Sequence, residues 1–509
     1  MDSGPCDTVL PGGLRVRLDR RVRVLDGGRA LIGGAPPRLI HLAPAARAVL
    51  GSHRAFTVTD ATSRRLARSL VDAGAAHPDY EPPAAVPGPS AVTVVVPVKD
   101  RTGGLARLLA ALNTTAGSSG LGAVLVVDDG SADAGTVAAV VAEHGARVLR
   151  HESSRGPAAA RNSGLAAAGT PLVAFLDSDV VPEPGWLAPL LAAFADPAVA
   201  LAAPRIVALD PVEGWLGRYE AVRSSLDLGP DPALIVPRTR VAYVPSAALL
   251  VRSSAVGAGF DEALHVAEDV DLVLRLHAAG WRCRYVPAAR VAHDHRTTVA
   301  AWLRRKAFYG TGAAPLAIRH PGAVPPVVLS PWAAAVGAAL LVARPWSGAV
   351  AVLACAVTVE RLARRLDRLT RPRAVAVRLV GLGAVGALGQ TAGAVSRHYW
   401  PIAAVAAACA RAARRRVGAI ALAGAVLDWC LHRRRDPRVR PALPAYVAAR
   451  MLDDIAYGAG LWWGALRHRT LAPLRPTGPG GSGNRPSGLL RTCISPRSTE
   501  ADSADRLSI

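Results

Sequence analysis

A chain of 509 residues, 51% of them hydrophobic, can build roughly three domains and a sizeable core. Its net charge of +22 is almost all arginine, with Lys99 and Lys306 the sole lysines, and reads as compositional bias; nucleic acid is not an expected partner. Six cysteines without a CxxC pair point to neither a zinc site nor a disulfide framework. The stretch "MDSGPCDTVLPGGLRVRLDR" has no apolar signal core, so a reducing cytosol is the expected compartment.

In chain order, residues 1–90 combine short alternating segments ("RVRLDRRVRVLDGG") with two helix-like runs ("LAPAARAVL", "DATSRRLARSLVDAG"). They predict a small α+β module, faintly similar to the peptide-binding modules of cofactor-maturation systems. The proline-rich linker "HPDYEPPAAVPGPS" closes it. Residues 91–320 alternate apolar strands with helices, the pattern of a doubly wound α/β sheet. Residues 321–470 are Ala, Val and Leu-rich segments separated by arginine runs. The tail, 471–509, is rich in Gly, Pro and Ser, and disorder is expected there.

Polar residues gather where three apolar strands end. "VTVVVPVKDR" (92–101) breaks at Pro97 and carries Asp100; "AVLVVDDGSAD" (123–133) ends in Asp128 and Asp129; "VAFLDSDVVPEPGW" (173–186) ends in Asp177 and Asp179. One such end is an ordinary Asp/Gly turn. Three together are harder to dismiss, because an open α/β sheet binds its ligand beyond the carboxyl ends of its strands. Residues i and i+2 of an extended segment face one way, so Asp177 and Asp179 can converge. Two close carboxylates repel and call for a cation; oxygen ligands select a hard ion such as Mg2+ or Mn2+, completed by a phosphate.

"VVPVKDR", "VVDDGSAD", "GPAAARNSGL", "FLDSDVVPEPGWL" and "FDEALHVAEDVDLVLRLHAAGW" together resemble a family 2 glycosyltransferase of the GT-A fold, over roughly residues 90–310. The resemblance implies a nucleotide-sugar donor, a divalent metal and an inverting displacement. Carried across, Pro97 and Asp100 line the base pocket, and Asp128 or Asp129 accepts from the uracil. Arg161 contacts the nucleotide, although an arginine capping a helix end reads nearly as well. Asp177 and Asp179 form the metal motif. Asp269 is the general base, with Glu268 and Asp271 its neighbours in the same turn. His293 completes the metal site, with His295 the second choice. Arg304, Arg305 and Lys306 hold the diphosphate or begin a basic helix. A small domain with "RLIHLAPAARAVL", then the transferase, then "RRKAFYGTGAAPLAIRHPG", resembles the mycofactocin biosynthesis glycosyltransferases over most of the chain. That implies UDP-glucose as donor and a premycofactocin-like acceptor carrying a β-linked glucose chain.

The apolar segments 327–343, 347–359, 374–389 and 417–429 are mostly shorter than the roughly 20 residues of a span. Bracketed by arginines, they suggest membrane association, the first two as a hairpin and the catalytic domain cytoplasmic. "GLGAVG" (381–386) invites a dinucleotide fold, but no Asp or Glu occurs between Asp367 and Asp428 to bind a ribose, so that reading is rejected. A nucleotidyltransferase would need a Gly-rich phosphate loop after its first strand, and "VKDRTGG" is a poor one. Two alternatives stay open: a glycosyltransferase for cell-envelope polysaccharide or lipid, and a membrane-anchored protein that only binds nucleotide sugar.

Overall fold

The computed structural model describes residues 9–79, 86–115, 120–295 and 298–479. Residues 80–85 of the linker and the tail from 480 onward lie outside the described residues.

The N-terminal module has six strands: β1 (Arg15–Leu18), β2 (Arg23–Leu25), β3 (Ala30–Gly33), β4 (Arg38–His41), β5 (Ala55–Thr57) and β6 (Ala76–Pro78). They form two antiparallel sheets, β5–β1–β6 and β2–β3–β4, beside helices α1 (Pro44–Leu50) and α2 (Ala61–Asp72). In α2 the Asp60 carboxylate caps the helix by accepting from Ser63 N at 2.7 Å. Leu66, Ala67, Leu70 and Val71 recur at helical spacing and face the module's core. Its outer face ties the module to the rest of the protein. Arg68 pairs with Asp196 at 2.8 Å, and Arg282 grips Asp72 through two bonds of 2.6 and 2.7 Å.

The central sheet holds nine strands: β7 (Val92–Val98), β8 (Ala123–Asp129), β9 (Arg147–His151), β10 (Leu172–Leu176), β11 (Val180–Pro182), β12 (Val199–Ala208), β13 (Ala233–Leu234), β14 (Ala248–Arg252) and β15 (Arg282–His293). Its order is β11–β15–β12–β14–β10–β7–β8–β9, with β13 on β15. The parallel pairing expected of a doubly wound sheet holds from β10 through β7 and β8 to β9. Beyond β10 the sheet is mixed, because β14 runs antiparallel to both β10 and β12.

Helices α3 (Thr102–Thr115), α4 (Ala134–Glu143), α5 (Pro157–Ala167), α6 (Leu187–Ala193), α7 (Gly214–Arg223), α8 (Ser253–Val256) and α9 (Glu268–Ala278) connect and cover these strands. Both faces of β10 are buried, which is why its sequence is apolar without alternation. Leu172, Ala174 and Leu176 join a core with Leu105, Leu109 and Leu190; Val173 and Phe175 join another with Phe260, Leu272 and Leu276. The Phe175 and Phe260 rings meet edge to face at 5.1 Å.

Helices α10 (Val299–Thr311) and α11 (Ala313–Arg319) lead into α12 (Pro331–Val342), α13 (Pro345–Arg365), α14 (Pro372–Gly393), α15 (Trp400–Cys409), α16 (Arg411–His432) and α17 (Leu443–Arg467). The apolar segments 327–343 and 347–359 form α12 and α13, which pack on one another as a hairpin does, but α12 is too short to span a bilayer. α12 has only 12 residues and ends at Ala343, which is left-handed at φ 46. Among the described residues, two helices are long and apolar enough to cross a membrane, α13 and α14, the latter continuing to His398. "GLGAVG" lies in the middle of α14, not at a strand-to-helix turn, in keeping with the rejected dinucleotide reading.

A boundary at residue 320 does not separate two independent bodies, because α17 returns across it to pack on α10. The two helices meet backbone to backbone: a Cβ on Gly460 would collide with Ala307 O, and one on Gly310 with Tyr457 O. Only glycines allow that approach. Lys306 of α10, Tyr219 and Glu220 of α7, and Asp453 of α17 form one buried network there.

Candidate active site

Three strand ends and two helices converge on a cavity of about 760 Å3. Parallel register sets Val98 of β7 opposite Asp128 of β8, and Phe175 of β10 opposite Val95. The loops leaving these strands therefore open at the same edge. From β7 the cavity takes Pro97, Val98, Lys99 and Arg101 as wall residues. Asp100 serves behind the wall: left-handed at φ 55, its Oδ1 accepts from Ala132 N at 2.8 Å and its N–H donates to Ser131 Oγ at 3.0 Å.

The two neighbouring carboxylates of β8 divide their work. Asp128 is buried against Arg150 and accepts from Ser131 N at 2.9 Å. Asp129 reaches the cavity. Burial alone would raise its carboxyl. Donation from Arg155 N, His151 Nδ1, Ser154 Oγ and Gly156 N, at 2.7 to 2.9 Å, outweighs burial and holds it below the ordinary value. The same bonds set the 153–156 loop that lines the cavity. Gly130, at φ 71, has no room for a Cβ against Ser153 and Ser154.

Asp177 and Asp179 sit in the turn from β10 to β11, where Val180 N donates to Asp177 O at 3.1 Å. Arg161 of α5, almost fully buried, bridges from Asp177 Oδ1 at 2.7 Å to Glu268 Oε1 at 2.9 Å. Those two anions raise the Arg161 pKa in spite of its burial, so the guanidinium is a fixed charge. Asp179 pairs with Arg101, yet burial and the neighbouring charge of Asp177 raise its carboxyl above the ordinary value. The antiparallel pairing of Val180 with His293 brings β15 alongside, leaving His293 Nε2 3.6 Å from Asp179 Oδ1. Burial pushes the His293 imidazole down to about 4, so it is neutral, and its buried Nδ1 has no hydrogen-bond partner. His295 lies one ring away, at 5.0 Å, and is not on the cavity wall.

The cavity is also lined by the start of α9, entered through Ala267 in the left-handed region at φ 66. Asp269 accepts from Ser246 N at 2.9 Å and from Val270 N at 2.8 Å. Burial and then the charge of Glu268 push its carboxyl up to about 7, against those bonds and Arg161. Glu268 is committed to Arg161, and Asp271 to Arg275 and His320 at 2.7 and 2.8 Å. Asp269, with its raised pKa, stands on the cavity wall; Glu268 shares that wall but is taken up by Arg161, and Asp271 is not part of it. In α10, Lys306 is buried between Glu220 and Asp453, at 3.0 and 3.4 Å. Arg305 instead lines the cavity, stacked 4.9 Å over Tyr309. Arg304 is exposed and turned to Ala300 O, away from the wall.

Residues 93–255 match the family profile of glycosyl transferase family 2. Pre-mycofactocin glycosyltransferase of Mycobacterium tuberculosis (strain H37Rv) is 48% identical over 479 residues, covering 92% of this chain and 98% of its own. The chain belongs to glycosyl transferase family 2. Succinoglycan biosynthesis protein ExoU of Rhizobium meliloti (strain 1021) is 30% identical over 243 residues, 41% of this chain and 66% of that protein. Mannosyltransferase PcManGT from Pyrobaculum calidifontis, solved with GDP-Man and Mn2+, overlays at 19% identity with a TM-score of 0.35, covering 60% of this chain and 90% of its own.

In this family 2 glycosyltransferase the metal question turns on donor chemistry. Among the described residues, no three His, Cys, Asp or Glu side chains are already gathered as an ion's ligands. Each carboxylate of the pair is turned to an arginine, Asp177 to Arg161 and Asp179 to Arg101. The donors nonetheless suit a divalent ion: two carboxylates, one of them raised by the other's charge, and a neutral imidazole with an unpartnered nitrogen.

Much of the cavity's far wall was not visible in the sequence. Arg397 and His398 at the end of α14, Tyr457 and Leu461 of α17, and Pro473 all line it. Tyr243 does so too, with 41% of its surface accessible. Nothing local marks these residues; those from Arg397 onward arrive from more than two hundred positions beyond the strand end at 177–179. Gly460→Val tests how far the glycosyltransferase depends on them. The branched side chain forces α17 off α10, an overpacking cost of about 1–3 kcal/mol or more. A lower melting temperature and at least a tenfold loss of transfer are expected, measured by thermal unfolding and by product formation.

Proposed function

We propose that this glycosyltransferase moves glucose from UDP-glucose to a pre-mycofactocin-type acceptor with inversion, building a β-linked chain on a small peptide-derived redox cofactor. The observation that carries the reading is the placing of a raised carboxylate, Asp269, in one cavity with the Asp177/Asp179 pair. The 48% identity to Pre-mycofactocin glycosyltransferase over nearly its whole length supports the acceptor class.

Asp269 accepts the proton of the acceptor hydroxyl as that oxygen attacks the anomeric carbon. The bond from that carbon to the diphosphate oxygen breaks on the opposite face, and its electron pair leaves with the diphosphate. Pro97 and Asp129 bound the nucleotide end of the cavity, with Asp100 and Asp128 holding their loops in shape. Arg161 holds the Asp177 carboxylate in place at 2.7 Å; Arg101 and Arg305 add positive charge near the diphosphate. Asp177, Asp179 and His293 would hold Mg2+ or Mn2+, which supplies the charge that steadies the departing diphosphate. The apolar surfaces of α13 and α14 keep the enzyme at the cell membrane, with its catalytic domain cytoplasmic.

Incubation with UDP-glucose, UDP-galactose and GDP-mannose separately, using small-molecule extract from a strain lacking the gene as acceptor source, tests the reading. A mass gain of one or more hexoses on a peptide-derived species with UDP-glucose is expected. Hexose transfer only to polysaccharide or lipid overturns the acceptor class, and donor hydrolysis without transfer to any acceptor overturns the transferase role.

A pH profile follows from Asp269. A general base works only when deprotonated, and its pKa is raised to about 7, so the active form is lost as pH falls through that value. The logarithm of kcat/KM should rise with unit slope below about pH 7 and level off above it. A flat profile between pH 5 and 8 contradicts the assignment.

A further inference from the structure

A helix that crosses a bilayer must deliver its two ends to opposite sides. The continuous segment Pro372–His398 has 27 residues, about 40 Å of helix, more than enough for a hydrocarbon core of about 30 Å. Both of its ends, however, are fastened to the same water-facing body. At the start, Val375, Ala376 and Leu379 cluster with Leu25, Ala30 and Leu39 of the N-terminal sheet β2–β3–β4. Just before it, Thr370 N donates to Asp26 Oδ2 at 2.8 Å. At the finish, Arg397 and His398 line the catalytic cavity, and Arg397 pairs with Asp453 and Asp454 of α17 at 3.3 and 3.1 Å. The N-terminal module is bound to the catalytic domain by the Arg68–Asp196 and Arg282–Asp72 pairs. A spanning α14 would have to draw one of these bodies through the bilayer.

α13 is fastened to that body at its finish and to α12 at its start. Its end residues Leu362, Ala363 and Leu366 join the cluster around Ala30. At its start, Ser347 Oγ donates to Ala339 O of α12 at 3.1 Å. α12 in turn sets out from the cavity rim, where Val328 N donates to Gln390 Oε1 at 3.1 Å.

The outward surfaces of both helices are nevertheless apolar. Val352 and Leu353 of α13 are 70% and 64% exposed, and Leu382 and Val385 of α14 are 62% and 59% exposed. At the turn that joins them, Arg364, Arg365, Arg368, Arg371 and Arg373 are all exposed. An apolar face bordered by fixed positive charge complements a leaflet whose headgroups are anionic.

We propose that α13 and α14 lie in the plane of one anionic leaflet as a monotopic platform and do not cross the bilayer. The inference rests on the membrane reading given under Proposed function and specifies its geometry. Tethered at both ends, the platform holds the cavity at the membrane surface while the N-terminal module and the catalytic domain stay on one side.

The test uses the full chain carrying Arg344→Cys or Arg368→Cys, at opposite ends of α13, in sealed everted membrane vesicles. A membrane-impermeant maleimide is added outside, and labelling is read site by site by mass spectrometry before and after detergent opens the vesicles. Full labelling of both positions from outside, with no gain on opening, is expected. A gain confined to one position means that α13 crosses, which overturns the platform and leaves the membrane reading standing. Recovery of the chain in the vesicle supernatant, as a monomer or as a dimer that covers the apolar face, overturns both.

Discussion

Asp269→Asn is expected to lower turnover by roughly 100-fold or more, the usual worth of a positioned general base. Asparagine keeps the volume and can still accept from Ser246 N through its carbonyl, giving up only the acceptor for Val270 N. It cannot take a proton from an attacking hydroxyl. Binding of UDP with Mn2+, measured by calorimetry, should shift by less than about 1 kcal/mol, because the proposed nucleotide and metal groups, Asp129, Asp177 and Asp179, are held by partners other than Asp269. The unit slope of the wild-type pH profile should vanish in this variant. If instead UDP binding collapses while turnover survives at high donor concentration, Asp269 is a donor-side residue. Glu268 would then be a weak replacement as base, since Arg161 and Ser246 already occupy its Oε1.

Asp179→Asn should abolish transfer and leave the fold intact. The carboxylate is destabilised by burial and by Asp177, and a bound cation is what would relieve that repulsion. An amide offers one neutral oxygen in place of a charged donor and also releases Arg101. Retention of more than about a tenth of the wild-type rate at saturating metal, a penalty of only about 1.4 kcal/mol, would sink the metal assignment. Titration of Mn2+ against the protein with UDP present should show the loss directly as weakened binding. A comparison with Arg101→Met separates the two effects, because that change removes the ion pair without touching a donor.

What could be read in the sequence was local. The strand ends at 97–101, 128–131 and 177–179 are legible because burying both faces of a parallel strand demands an apolar run, and polar residues then mark where it stops. The "AEDVDL" turn was equally visible, as an acidic helix start. Roles within each group were not. Asp128 and Asp129 are neighbours of one type, and only alternation across β8 sends one toward Arg150 and the other to the cavity. Lys306 and Arg305 are also adjacent in sequence. α10 turns the first into a buried network and the second to the cavity wall.

By itself, then, the sequence determined the mixed strand-and-helix character of the central domain, the acidic pair, the candidate base and the apolar nature of the C-terminal third. Those depend on interactions within a turn or a strand, where propensity and burial act on neighbours. Tertiary structure alone decided which distant groups meet. The β11–β15 register carried His293 to Asp179 across more than a hundred residues, and a glycine contact between α10 and α17 closed the cavity with Tyr457 and Leu461. The same packing pinned both ends of α14 to one body. Hydropathy can report that a helix is long and apolar enough to span, but only the anchoring of its ends decides whether it can.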